Sequence, residues 1–315
     1  MRGSTLLSFA LLQAGLGSAL AIGAGTVAGA GAVRADAPQV LEDRYPRAAA
    51  SYLVQIDGRL VWGREIDTRR APASLVKLMT ALVALEDGID PGRVVRVSER
   101  AARQTAAKLA FRPGEGMTAG QLLDAALIAS ANDAAEALGE DRAGPQAFVD
   151  RMNARARRLG LTRTHFSNPT GLDARGQVST ARDLLALAEE ALVHPEIAAR
   201  VALPGATLTT SSGRRIEIAS TNALLGLVPG VRGIKTGTTA RAGECLIAIA
   251  ERNGHRVLVV LLGAKDRWWT GAALVEAALR EAGAARADSA GDGTAGPAPG
   301  APSGDELGGG APPPP

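Results

Sequence analysis

One cysteine, three histidines and four lysines are all that this chain of 315 residues contains of those types. The lone Cys245 excludes an intrachain disulfide and any cysteine-based metal cluster. His165, His194 and His255 lie far apart and match no ligand spacing such as H-E-x-x-H, so each is expected in a surface or packing role and no metal centre is expected. No G-x-S-x-G elbow occurs, which leaves a hydrolase of Ser-His-Asp type without support. Aromatic residues make up only 3%, and 35 basic residues against 32 acidic ones give a net charge of +3. The basic residues form no polybasic run and are not interleaved with aromatics, so no nucleic-acid footprint is drawn.

A long, mainly apolar run occurs once, at residues 6–33, built almost wholly from Leu, Ala, Gly, Val, Ile and Phe after Arg2. Small residues around Arg34 suit a signal peptidase, so residues 1–35 are expected to be an export signal with the mature chain starting at Asp36. The run is also long enough to span a bilayer, and contact with a membrane is expected only if the signal stays uncleaved. Residues 36–44 form a lead-in. At the other end, residues 287–315 are rich in Gly, Ala and Pro and read as a disordered tail. Residues 45–286 remain as one domain of ordinary size, with the 46% apolar content of the chain to fill its core.

Within that domain, apolar and polar residues alternate over 51–66 around Asp57-Gly58, a hairpin signal. A second hairpin brackets Asn253-Gly254, and both of its arms are continuously apolar, as central strands buried on two faces would be. Helical periodicity marks residues 74–86, 119–130, 133–138, 145–159, 180–193 and 268–281. An antiparallel sheet from both chain ends with a helical block inserted between them is an α+β, or mixed α/β, architecture.

The scarcity of lysine makes each lysine informative. Arginine stays protonated at any accessible pH, whereas a desolvated lysine can lose its proton and act as a base. Lys77 follows Ser74 by three positions at the start of an apolar helix, which stacks the two side chains on one face. Flanked by Val76, Leu78 and Met79, it is placed to take a proton from Ser74. Ser130-Ala131-Asn132 sits at a helix junction, where Ser130 could pass a proton to a departing amine and Asn132 could orient a substrate amide. Lys235-Thr236-Gly237, leading into a strand, offers an ammonium and a hydroxyl for a carboxylate, with room at Gly237 for a ligand backbone. Each motif alone has a bland reading: a helix cap with a snorkelling lysine, a second cap, and a turn lysine.

Together, S-x-x-K, an S-x-N type triplet and K-T-G in this order are the signature of β-lactamases and penicillin-binding proteins. The chain resembles the low-molecular-mass D-alanyl-D-alanine carboxypeptidases among them. Ser130-Ala131-Asn132-Asp133, the stretch from Phe148 to Asn153, that from Leu159 to Leu172, and Ser179 to Leu184 carry the likeness. The resemblance implies a β-lactamase/transpeptidase-like fold with Ser74 as nucleophile and Lys77 as its base. Ser130 and Asn132 would be the second catalytic element, and Lys235, Thr236, Gly237 and Thr238 would bind substrate. The backbone N–H groups of Ser74 and Thr238 would form the oxyanion hole. It further implies peptidoglycan stem peptides as substrate, β-lactam antibiotics as inhibitors, no cofactor, and a place in the periplasm or cell envelope. The chain departs from the usual pattern at Val76, Ala131 and Thr238. A D,D-endopeptidase would share the whole site, whereas a β-lactamase would need a deacylating carboxylate in an E-x-x-L-N loop, which does not occur.

Overall fold

Two tight turns organise the sheet. Asp57 and Gly58, at φ 48° and 81°, close the hairpin of β1 (Ala49–Ile56) and β2 (Arg59–Arg64). Strands β8 (Gly243–Arg252) and β9 (His255–Ala264) turn in the same way through Asn253 and Gly254, and β7 (Val231–Thr239) pairs with β8 as an edge strand. Left-handed backbone at both central positions matches the twist of the flanking strands, which is why Asx-Gly serves here. Strand β1 pairs antiparallel with β9 and so joins the two chain ends in a five-stranded sheet of order β2-β1-β9-β8-β7. The computed structural model describes residues 41–141 and 144–291. The expected export signal lies outside the described residues, as does all of the expected tail beyond Gly291.

The unbroken apolar arms of the second hairpin have their cause in two covers. On one face Val257, Val259 and Leu261 meet Leu274, Val275 and Ala278 of the last helix, α8 (Arg267–Gly291). On the other, Leu258, Val260 and Leu262 join the core of the helical block. Each strand residue therefore finds an apolar partner whichever way it points, worth about 1.5–3 kcal/mol per fully buried Val or Leu side chain.

At the centre of the block is α1 (Lys77–Glu86), buried from Lys77 through Ala84. Around it run α2 (Glu99–Ala102), α3 (Ala119–Leu127), α4 (Asn132–Glu140), α5 (Gly144–Arg158), α6 (Ala181–Val193) and α7 (Pro195–Val201). Thr118 and Gln121 form a capping box that starts α3, and the Thr180 hydroxyl accepts from the Asp183 amide to start α6. Two small hairpins, β3 (Val94–Arg96) with β4 (Gly116–Thr118) and β5 (Gly205–Thr209) with β6 (Arg215–Ala219), complete the fold.

Three boundaries differ from the periodicity. Ser74 stands in a 3-10 turn, Ala73–Val76, and the α-helix begins only at Lys77. The helix expected over 119–130 ends at Leu127, and Ser130 adopts φ 60° before α4 begins. Helix α8 continues through Gly291, past the expected end at residue 281 and into the stretch read as a tail. Alanine and charged residues carry it there, and these favour helix without an apolar stripe.

Candidate active site

Ser74 is presented by backbone rather than by a helix. Ala73 has φ 50°, so the chain turns sharply just before the serine. Gly171, at φ 87°, packs directly on this turn, where an added Cβ would lie 2.1 Å from the Ala73 carbonyl oxygen. The loop carrying Gly171 is shaped by Asn168, whose Oδ1 accepts from the Thr170 and Gly171 amides and from the Thr170 hydroxyl. It is pinned to α1 by the Thr80 hydroxyl, which donates to the Pro169 carbonyl at 2.7 Å.

Lys77 Nζ lies 2.9 Å from Ser74 Oγ, 2.7 Å from Asn132 Oδ1 and 2.6 Å from the Thr170 carbonyl oxygen. The Asn132 amide is oriented unambiguously, because its Nδ2 donates to the Thr105 carbonyl at 2.7 Å and so leaves Oδ1 for the lysine. A carbonyl and an amide oxygen can only accept. A neutral amine therefore gives them its two N–H bonds and keeps its lone pair for the Ser74 hydroxyl proton. Lys77 has no exposed surface, and its pKa falls well below the ordinary 10.5, first through burial and then through the nearby Lys235 charge, with Asp133 opposing. A neutral amine so placed has the geometry to accept the serine proton.

Six of the eight residues singled out from the sequence line one cavity: Ser74, Ser130, Asn132, Thr236, Gly237 and Thr238. The two lysines stand behind its wall. Lys235 is 1% exposed, and its ammonium donates to the Thr236 carbonyl at 3.0 Å. Burial, followed by the Arg267 charge, brings its pKa down to about 7. Gly237 lets β7 run against the nucleophile turn, since a Cβ there would lie 2.7 Å from the Ser74 amide nitrogen. The Thr236 and Thr221 hydroxyls are 2.7 Å apart on the same wall.

Several functional features escaped the sequence. Arg267, the first residue of α8, lines the cavity, and its Nη1 donates to the Gly237 carbonyl at 2.8 Å and to the Thr238 hydroxyl. Its guanidinium stacks over Trp268 at 4.6 Å. Nothing local distinguishes this arginine from the other thirty, because it reaches the site only through the packing of α8. The Thr170 carbonyl was equally hidden, since a backbone acceptor leaves no residue-type signal. Ala106 and Ala107 form another part of the wall. Among the described residues, only Glu86, Glu190 and His194 form a group of acidic and histidine side chains close enough to share a metal. Arg155 already bridges the two carboxylates, 2.7 Å from Glu86.

A cavity with a serine hydroxyl in its wall, a desolvated amine beside it, and a guanidinium bonded to the adjoining edge strand is equipped for acyl transfer to a ligand bearing a carboxylate. The sequence profile of the D-alanyl-D-alanine carboxypeptidase family matches residues 40–266. D-alanyl-D-alanine carboxypeptidase DacF of Bacillus subtilis is 36% identical over 224 residues, covering 69% of this chain and 57% of DacF. Carboxypeptidase DacB2 of Mycobacterium tuberculosis is 35% identical over 207 residues, 65% of this chain and 70% of its own length. A D-alanyl-D-alanine endopeptidase of Pseudomonas aeruginosa is 31% identical over 70% of this chain and 73% of its own. The crystal structure of penicillin-binding protein D2 from Listeria monocytogenes in its ampicillin-bound form superimposes with a TM-score of 0.65 at 33% identity, covering 74% of this chain and 97% of that one.

Proposed function

Because this chain belongs to the D-alanyl-D-alanine carboxypeptidase family, we propose that it removes the terminal D-Ala from peptidoglycan stem peptides through an ester on Ser74. The observation that carries this reading is the buried Lys77 amine 2.9 Å from Ser74 Oγ, with both of its N–H directions taken by oxygens that only accept. Ser74 Oγ attacks the carbonyl of the penultimate D-Ala and its proton passes to Lys77 Nζ. The C–N bond to the terminal D-Ala breaks, and Ser130, at the cavity wall, hands a proton to the departing amine and takes in its place the one that Lys77 received from Ser74, which leaves Lys77 neutral again. Water then cleaves the ester and returns the serine hydroxyl and a peptide shorter by one residue. Arg267, with the Thr236 and Thr238 hydroxyls, receives the terminal carboxylate. Lys235 adds its charge from behind the strand rather than by contact. The Ser74 amide, facing the edge of β7, supplies one oxyanion donor and the Thr238 amide the second.

The likeness to the endopeptidase from P. aeruginosa supports a second reading, in which the same chemistry opens a cross-link instead of trimming an end. No carboxylate lines the cavity among the described residues, which leaves a penicillin ester without a dedicated base for its hydrolysis. Under either reading β-lactams acylate Ser74 and the work is done on the cell wall after export of the chain. Among the described residues no helix is long and apolar enough to cross a membrane. Product analysis with a pentapeptide and with a cross-linked dimer decides between the readings. Free D-Ala from the pentapeptide is expected. Cleavage of the dimer alone would establish the endopeptidase, and rapid multiple-turnover hydrolysis of penicillin without either product would overturn both.

A further inference from the structure

Residues 105–111 run past the cavity as a strap, exposed except at the half-buried Leu109 and the buried Phe111, that includes two alanines in left-handed backbone, Ala106 at φ 61° and Ala110 at φ 53°. Such conformations persist in alanine only when the surroundings impose them. Here the first two residues of α4 do so. Asn132 takes the carbonyl side of the strap: its Nδ2 donates to Thr105 at 2.7 Å and its amide to Ala107 at 2.7 Å. Asp133 takes the amide side, accepting from Leu109 at 3.0 Å and from Phe111 at 3.3 Å, as well as from its helix neighbour Ala134 at 3.0 Å. Every second residue of the strap, 105, 107, 109 and 111, is thus tied to Asn132 or Asp133. Ala106, between two ties, and the tied Ala107 line the cavity.

Asn132 also holds Lys77, so the strap and the base share one side chain. We propose that Asp133 is a positioning residue for acylation: by fastening Leu109 and Phe111 it fixes the strap, and through Thr105 and Asn132 it fixes the direction of the Lys77 amine and the width of the cavity beside Ser74. This inference rests on the serine acyl-transfer reading of the site and adds to it a residue that touches neither substrate nor nucleophile. Asp133 has no exposed surface, and three amide donors onto one carboxylate are more than a helix start requires. The charges that feel it are Lys77 on α1 and Arg214 beside β6.

The test compares the full chain with Asp133→Asn and Asp133→Glu. Fluorescent penicillin titrates the active fraction of each protein, and the acylation rate constant per active site is then measured across pH. Amide hydrogen exchange of residues 105–111 is followed in parallel. For Asp133→Asn the strap amides are expected to exchange at least tenfold faster. The plateau of the per-site acylation rate is expected to fall by about tenfold to a hundredfold, as for a small misplacement of a catalytic group. Asp133→Glu keeps the charge but displaces the carboxylate by a methylene, and a comparable fall is expected. If Asp133 acted only through its charge, Asp133→Asn would shift the pH profile to lower pH without lowering the plateau, and Asp133→Glu would behave as the parent. If it were merely structural, the active fraction would drop with the per-site rate unchanged. Either result overturns the inference, as does a strap that stays protected in Asp133→Asn whatever the activity. A parent protein that forms no penicillin ester would instead sink the acyl-transfer reading, with the exchange measurement still deciding whether Asp133 holds the strap.

Discussion

The cations of the cavity and the arginines away from it are satisfied in opposite ways. On the outside, Arg155 bridges Glu86 and Glu190, Arg252 grips Glu276 with two nitrogens, and Arg214 does the same to Glu115. Among the described residues, Lys77, Lys235 and Arg267 have no carboxylate bonded to their side chains. Their partners are the Thr170, Thr236 and Gly237 carbonyls, the Asn132 amide and hydroxyl groups. The carboxylate that Lys77 feels, Asp133, is occupied by backbone amides. A cation held by a carboxylate is fixed in its charged state, and pairing of that kind would abolish the base function proposed for Lys77. Neutral oxygens position a nitrogen while leaving its protonation open and its charge available to an incoming anion. The outer pairs fasten elements together, whereas the cavity keeps its cations uncompensated for substrate.

Lys77→Arg breaks that contrast most severely. It installs a permanent cation where a removable proton is required, and penicillin acylation is expected to fall by about 10²–10⁴-fold, the usual contribution of a positioned base. Ser74→Ala should abolish labelling altogether, as seen by intact mass. Next comes Gly237→Ala: a Cβ 2.7 Å from the Ser74 amide nitrogen and 2.8 Å from Ala73 Cβ pushes β7 off the nucleophile turn. A loss of about 10²-fold in acylation is expected for a displacement near 1 Å, with the melting temperature as the control for folding. Arg267→Ala removes the uncompensated guanidinium. The account expects kcat/KM for D-Ala release to drop about 10- to 150-fold, from the roughly 1.5–3 kcal/mol of a hydrogen bond to a charged group. If Lys235→Ala alone caused such a loss while Arg267→Ala were silent, carboxylate recognition would belong to the lysine after all.

The comparison also shows what a sequence can and cannot disclose. That Ser74, Lys77, Asn132 and the Lys235-Thr236-Gly237 run would meet around one cavity was legible from residue type and spacing. Unbroken apolarity on both arms of the Asn253-Gly254 hairpin located the central strands for a similar reason. Arg267 and the Thr170 carbonyl were not legible. The first depends on where α8 lands, and the second is backbone. The carboxylate grip expected of Lys235 follows from a lysine beside a hydroxyl; the side chain is buried, with its ammonium on the Thr236 carbonyl. The hairpins β3–β4 and β5–β6 escaped because three to five residues carry too little periodicity, and their burial comes from contacts with the helical block.

An outer pair gives the smallest effect and the opposite pH sense. Arg214 and the Arg112 amide hold the Glu115 carboxylate at about 2, against an ordinary 4.5. Its folded-state pKa is lowered, so its stabilising contribution is complete above the ordinary value and is lost as pH falls towards about 2. Glu115→Gln should therefore lower the melting temperature at pH 7 by a few degrees and flatten its acid decline between those values. An unchanged acid slope would remove this pair from the account.

The pH profile of acylation tests the central claim most directly, namely that Lys77 is a neutral base at working pH. The second-order rate constant for penicillin labelling of the parent protein is to be measured from pH 5 to about pH 11. With the lysine pKa held well below its ordinary 10.5 by burial and by the Lys235 charge, the rate is expected to level off well short of that pH. A rate that climbs about tenfold per pH unit until it bends near 10.5 would mean that Lys77 is charged at neutral pH, and would contradict the account.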